Sequence, residues 1–223
     1  MTDQPLAIRR PVLTVPWWAI GVLAMWFALL GYVAKGPNTL QIDLSVSEWA
    51  QSFDGSVAAS LAWIGDMLGE RAVALGMLAV AWIGLALLGR RRDLWFVGLV
   101  AIGRVLGMPL KEWFNSPRPT GAQVELARSF DNMGFPSGHA TTSAVLLGSA
   151  AFLLARHMPG RPGRLLLLAT WILGMSLTAY ARIWYGAHWL TDTLGGAAAG
   201  AIVILLAANL SATIAKEEPT ARQ

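Results

Sequence analysis

Ala181-Arg182-Ile183-Trp184-Tyr185-Gly186-Ala187-His188-Trp189-Leu190-Thr191-Asp192 joins two apolar runs, residues 165–181 before it and 188–210 behind it. Each run has the length and composition of a membrane-spanning helix. A chain that crosses, presents a cation, an imidazole and a carboxylate at the rim and then crosses back is a helix hairpin with a polar site at its tip. If the second helix opens near His188, Asp192 lies one turn further on the same face, where its carboxylate can hold and polarise the imidazole. Arg182, on the other side of a Gly186 turn, brings a fixed positive charge to the same place. The junction suits an anion.

Composition extends this reading to the whole chain. Of 223 residues, 55% are hydrophobic and only 13% charged, too apolar for an ordinary soluble domain. The length fits one integral-membrane domain over residues 1–223, with polar tails at 1–16 and 212–223. The net charge of +4 does not call for nucleic acid, because the arginines cluster between apolar runs as membrane-flanking residues do. The absence of cysteine excludes disulfides and thiolate metal sites. Pro16-Trp17 opens a long apolar run with no small-residue cleavage pattern before the polar segment that follows it, so that run is expected to be retained.

The expected fold is all-α, a bundle of six transmembrane helices with an amphipathic segment between the first two. The spans are read at 17–34, 71–88, 94–110, 137–155, 165–181 and 188–210. Between the first two, Asp43, Glu48, Asp54, Asp66 and Glu70 interleave with Trp49, Phe53, Val57, Leu61, Ile64 and Leu68 at three- and four-residue steps, the pattern of an amphipathic helix. Such a helix either packs on the bundle or lies in the interface beside a lipid access path. Residues 111–136 read as a loop broken by Pro117, Pro119, Gly121, Gly134 and Pro136. Arg128 and Asn132 within it are unassigned, and His157, beside Arg156, is read as structural. Arg9/Arg10, Arg90 to Arg92 and Arg156/Arg161/Arg164 mark the cytoplasmic side. Both tails are then cytoplasmic, and residues 35–70, 111–136 and 182–188 share the outer face.

Two further clusters fall on that face: Lys111 with Arg118-Pro119, and Pro136-Ser137-Gly138-His139. With Arg182, His188 and Asp192 they resemble the type 2 phosphatidic acid phosphatase (PAP2) superfamily of membrane lipid phosphatases. Its first motif, Lys, six residues, Arg-Pro, falls on Lys111, Arg118 and Pro119, and its second on Pro136 to His139. The third falls on Arg182, His188 and Asp192, with Ala181 where the family usually carries Ser. That departure removes a hydroxyl donor and leaves the histidines and cations in place.

The resemblance implies that His188 is the nucleophile, His139 the general acid and Asp192 the group that orients His188. It further implies that Lys111, Arg118, Ser137, Gly138 and Arg182 bind the phosphate, with no metal ion and no cofactor. The residue chemistry is compatible with this. Three cations can neutralise the equatorial oxygens in phosphoryl transfer, and the opening turn of a helix at Ser137-Gly138-His139 would offer unpaired N–H groups to an anion. The expected partner is a lipid phosphate or diphosphate in the bilayer, and the expected location a bacterial inner membrane with the site on the extracytoplasmic side. Undecaprenyl diphosphate leads among the substrates, followed by phosphatidylglycerophosphate, phosphatidate and a lipid A phosphate. A lipid phosphotransferase and a non-catalytic lipid-phosphate binder are the rival functions, and oligomeric state is unknown from sequence.

Overall fold

The computed structural model describes residues 14–36, 38–107, 109–130, 132–156, 158 and 160–217. Residues 1–13 and 218–223, which make up most of the first expected tail and half of the second, lie outside the described residues, as does His157. Regular structure is entirely helical among the described residues: α1 (Trp17–Ala34), α2 (Gln41–Gln51), α3 (Gly55–Leu68), α4 (Arg71–Leu87), α5 (Arg91–Leu106), α6 (Leu110–Phe114), α7 (Gly138–Ala155), α8 (Arg161–Trp184) and α9 (Leu190–Glu217). Five segments are long and apolar enough to cross a membrane: Trp17–Ala34, Arg91–Phe114, Gly138–Ala155, Arg161–Trp184 and Leu190–Ile214. The pair α3 and α4, bent by 49° at their junction, forms a sixth when taken as one span. This is the expected multi-pass membrane bundle.

Helix ends follow local chemistry. Gly89 takes a φ of +65° in the turn between α4 and α5, a conformation that favours glycine, and the chain reverses there at once. Pro162 sits in the first turn of α8, where its missing N–H interrupts no intrahelical bond. Two expectations shift. The polar segment after Ser211 is not a separate tail, because α9 continues to Glu217. Lys111 lies on the short helix α6 and not in a loop, and the helix ends at Asn115 in the left-handed conformation.

The segment between the first two spans departs most from expectation. It is not one amphipathic helix but α2 and α3, separated at Ser52–Asp54. In α2 two polar side chains are buried, Asp43 at 3% and Ser47 at 1% exposed, whereas Ile42 is 55% and Trp49 59% exposed. Asp43 and Ser47 meet the bundle beside Ala50, while Ile42 and Trp49 face outward together with Gln41, Ser45 and Glu48, as befits a helix at the boundary of lipid and water. Asp43 accepts from Thr191 N (2.9 Å) and Thr191 Oγ1 (2.7 Å), so α2 holds the first turn of α9. Helix α3 packs on α8 so closely that a Cβ at Gly65 would lie 2.2 Å from Leu177 O. The chain then breaks at Gly69, where a Cβ would lie 2.6 Å from that of His139.

Helix α9 is central, packing on α7, α5 and α1. Gly196 and Gly200 let α7 approach it, since added methyls would meet Ser137 O at 2.5 Å and the Ala144 side chain at 2.4 Å. Phe96, Val97, Val100, Val145, Ala207 and Ala208 form the core between α5, α7 and α9. At one end Arg156 pairs with Asp93, and Asn209 bonds both backbone groups of Val15. At the other end the segments 35–70, 111–136 and 182–188 meet. Gln51 bonds Glu125 and Trp184, Trp184 donates to Phe53 O, and Gln123 donates to Thr39.

Candidate active site

The site lies at that second end, where α9 begins, α8 ends and α7 begins. His188 is in the tight turn between α8 and α9; its backbone N–H and that of Ala187 both donate to Arg182 O, and Gly186 takes a φ of +64°. The imidazole Nδ1 is 3.1 Å from Asp192 Oδ2, one turn on as the spacing requires. The same carboxylate oxygen accepts from Trp189 N at 3.1 Å. An ionised Asp192 fixes the tautomer with the proton on Nδ1 and leaves the Nε2 lone pair available. Asp192 is fully buried, and Gly134 makes room for it: a Cβ there would lie 2.8 Å from Oδ2.

His188 opens onto a cleft of about 730 Å³ whose walls also carry Lys111, Arg118, Gly138, His139 and Arg182. Three segments distant in sequence therefore supply one cationic cleft. Asp192 lies behind the imidazole and does not line it. Ser137 is likewise absent from the walls: it is fully buried, and its Oγ accepts from Ala140 N (3.4 Å) as the N-cap of α7. Its place in the site is to open the helix that carries Gly138 and His139.

The cations are anchored. Arg118 donates from Nε to Asn132 O at 2.6 Å, from Nη2 to Asn132 Oδ1 and from Nη1 to Ala187 O, next to His188. Lys111 Nζ donates to Met133 O at 3.1 Å. Arg118, Arg128 and Arg182 all lie over the Phe130 ring, at 5.0, 5.3 and 5.7 Å from its centroid, so one aromatic ring gathers three guanidinium groups. Burial pulls Arg118 down to about 10, with Arg182 and Arg128 adding to the effect and Asp192 opposing it, which still leaves the group charged at neutral pH. His188 is held well below the ordinary imidazole value, first by burial and then by Arg118, Lys111, Arg182 and His139. It is a neutral imidazole in a field of cations, the state a nitrogen nucleophile requires.

Several groups at the site were not singled out from the sequence. Asp66, at the end of α3, pairs with Arg182 and lies 3.4 Å from His139 Nε2; Glu70 lies 3.9 Å from the same nitrogen. Arg104, in α5, donates to Thr142 and lines the cleft together with Arg71. A lone charge inside an apolar run was the available signal for Arg104. Among the described residues no group of three or more His, Asp or Glu side chains is arranged to hold a metal ion.

Residues 92–215 match the sequence profile of the PAP2 superfamily. The chain belongs to this superfamily. Phosphatidylglycerophosphatase B of Bacillus subtilis (strain 168) is 30% identical to it over 105 residues, 46% of this chain and 50% of that protein. The chain thus spans about half the length of this curated relative. Among solved structures, a transmembrane PAP2 type phosphatidylglycerolphosphate phosphatase from Bacillus subtilis superposes with a TM-score of 0.74, covering 92% of this chain and all of that one at 20% identity. Aquifex aeolicus LpxE superposes with a TM-score of 0.56 over 78% of this chain and 97% of its own, also at 20% identity. These likenesses establish a shared fold. The PAP2 match contains Lys111, Arg118, His139, Arg182, His188 and Asp192, whereas Asp43, Asp66 and Glu70 precede it.

Proposed function

We propose that this protein is a membrane lipid phosphatase that removes a terminal phosphate through a phosphohistidine. The observation that carries the reading is the His188 Nδ1–Asp192 Oδ2 pair at 3.1 Å, with the imidazole opening into the cleft walled by Lys111, Arg118 and Arg182. In this mechanism the three cations and the first turn of α7 hold the phosphate oxygens, and Gly138 lets the backbone come close. His188 Nε2 attacks phosphorus in line as the bond to the leaving oxygen breaks, and His139 gives that oxygen a proton. Water then attacks the phosphohistidine with His139 taking its proton, and inorganic phosphate leaves. Asp192 stabilises the imidazole as it gains charge. The cations and the two histidines supply this chemistry without a metal ion.

The whole chain, residues 1–223, is read as one such domain. Its membrane is a bacterial inner membrane, with the site on the extracytoplasmic face and both termini in the cytoplasm. Arginines at the Arg90–Arg92 and Arg156 turns, at the end opposite the site, support that orientation. Undecaprenyl diphosphate and phosphatidylglycerophosphate are the leading substrates, the second favoured by the name of the Bacillus relative. Phosphate release from a panel of lipid phosphates by purified protein, with chelator present, tests the reading. Release abolished in His188→Ala is expected; release unchanged in that variant rejects the mechanism.

A further inference from the structure

We propose that Arg104, with Arg71 beside it, forms a second anion subsite that takes the tail-proximal phosphate of a headgroup carrying two phosphates. This rests on the phosphatase reading above and specifies its substrate class. The cleft carries more positive charge than one phosphate needs, since Arg71 and Arg104 line it in addition to Lys111, Arg118 and Arg182. Arg104 is 8% exposed and stands in the membrane-spanning helix α5, where an unpaired charge is costly and marks a functional position. Among the described residues no carboxylate lies within ion-pair distance of it.

Its protein bonds leave capacity for a ligand. Nε and Nη2 donate to Thr142 Oγ1 at 3.0 and 2.8 Å, and Nη2 lies 3.4 Å from Gly138 O. Among the described residues Nη1 has no hydrogen-bond partner. A Cβ at Gly138 would stand 3.9 Å from Arg104 Nη2 and 3.9 Å from Lys111 Cε, so these two cationic side chains are separated by no more than twice that distance. The missing side chain keeps the space between them open. Neighbouring phosphates of one headgroup fit such a pair of cations.

Arg104 also stands where the polar cleft meets an apolar one. A second cleft of about 280 Å³ shares Arg71, Arg104, Lys111 and Gly138 with the first and is otherwise lined mostly by apolar groups, among them Phe27, Gly103 and Val203. This order places the terminal phosphate at His188, the inner phosphate at Arg104 and the start of the lipid tail beyond it. For a diphosphate the bond broken is between the terminal phosphorus and the bridging oxygen. The departing group is then the lipid monophosphate, whose developing charge falls beside Arg104. For a headgroup with separated phosphates, Arg104 contributes binding alone.

The test compares purified wild type with Arg104→Gln and Arg104→Lys on a polyprenyl diphosphate, phosphatidylglycerophosphate and phosphatidate, which has one phosphate. Arg104→Gln is expected to lower the ratio of kcat/KM for two-phosphate over one-phosphate substrates by about tenfold to a hundredfold, the loss for a charged hydrogen bond, and Arg104→Lys to restore part of it. A drop confined to the polyprenyl diphosphate assigns adjacent phosphates; one confined to phosphatidylglycerophosphate assigns separated ones. An unchanged ratio, with all three substrates reduced alike, makes Arg104 only an anchor for α7 and overturns the proposal. Inorganic pyrophosphate should also protect wild type against thermal unfolding at lower concentration than inorganic phosphate does. Protection by pyrophosphate and by glycerol 1,3-bisphosphate no better than that by phosphate overturns the subsite even if Arg104→Gln fails to fold. Absence of phosphate release from every lipid by wild type, with the pyrophosphate preference intact, refutes the phosphatase reading and not the subsite.

Discussion

Oδ1 of Asp66 lies 3.4 Å from Nε2 of His139 while the same oxygen pairs with Nη1 of Arg182. A carboxylate from the α3–α4 bend thus bridges two groups that the mechanism needs for phosphate. A phosphate that approaches His139 Nε2 or Arg182 Nη1 meets a carboxylate already paired there, so the site carries its own competing anion. The bridge keeps the Arg182 guanidinium, whose side chain is only 4% exposed, from standing unpaired.

The bridge predicts a split between binding and turnover. Asp66→Asn removes the competing charge, and inorganic phosphate should inhibit it more tightly than wild type, by about threefold to tenfold. The same variant loses the group that orients the His139 ring, and kcat should fall about tenfold. Product inhibition measured beside kcat checks both. A fall in kcat with unchanged phosphate inhibition would show that Asp66 only supports the fold.

The low affinity of His188 for protons predicts an acid-sensitive fold. Because its folded value lies below the ordinary imidazole value near 6.5, the unfolded chain takes up a proton first as pH falls. The contribution of this group is therefore complete above about pH 6.5 and is lost progressively below it, at a rate of at most about 1.4 kcal/mol per pH unit. Thermal unfolding in detergent from pH 7.5 to 5 should show a falling midpoint, and His188→Asn should flatten that slope. A midpoint whose pH dependence is the same in both proteins would mean that His188 is readily protonated in the folded state.

The span count and the cationic clusters were legible in the sequence because both are local: apolar run length, and residue types at short spacings. The fit of Asp192 behind His188 followed from a four-residue step. What could not be read depends on contacts across the chain. Acidic and apolar residues alternating at three- and four-residue steps in 35–70 look alike whether the polar face meets water or a protein interior. In α2 the buried Asp43 finds its partner in Thr191, 148 residues away, while Trp49 faces outward. At the bend, Gly69 is packed against His139, 70 residues away in the chain. Phe130 lies in a loop with no periodicity to mark it, and only the tertiary structure brings Arg118, Arg128 and Arg182 over its ring.

Gly134 is the position where a single methyl should separate activity from folding. A Cβ there would sit 2.8 Å from Asp192 Oδ2 and 3.2 Å from Pro117 O, so Gly134→Ala must push the carboxylate or the loop aside. Displacing the partner of His188 Nδ1 frees the other tautomer, and kcat should fall by about a hundredfold or more. Circular dichroism should stay near that of wild type, because Gly134 lies outside the helices. Activity within twofold of wild type would show that Asp192 does not need its observed position.

Asp43 is the corresponding test of how the outer helix supports the site. Its buried carboxylate accepts from both Thr191 N and Thr191 Oγ1, and the positive end of the α9 dipole favours the negative charge. Asp43→Ala leaves the Thr191 hydroxyl and N–H without these acceptors in a buried environment, a loss of about 2 kcal/mol. Thr191 stands between His188 and Asp192 in the chain, so the disturbance passes to the orientation of the imidazole. The variant should unfold at lower temperature and lose kcat several-fold with little change in KM. Asp43→Asn, whose side-chain carbonyl can still accept one of the two bonds, should recover part of both losses; recovery of stability with none of the activity would mean that the charge itself acts on the site.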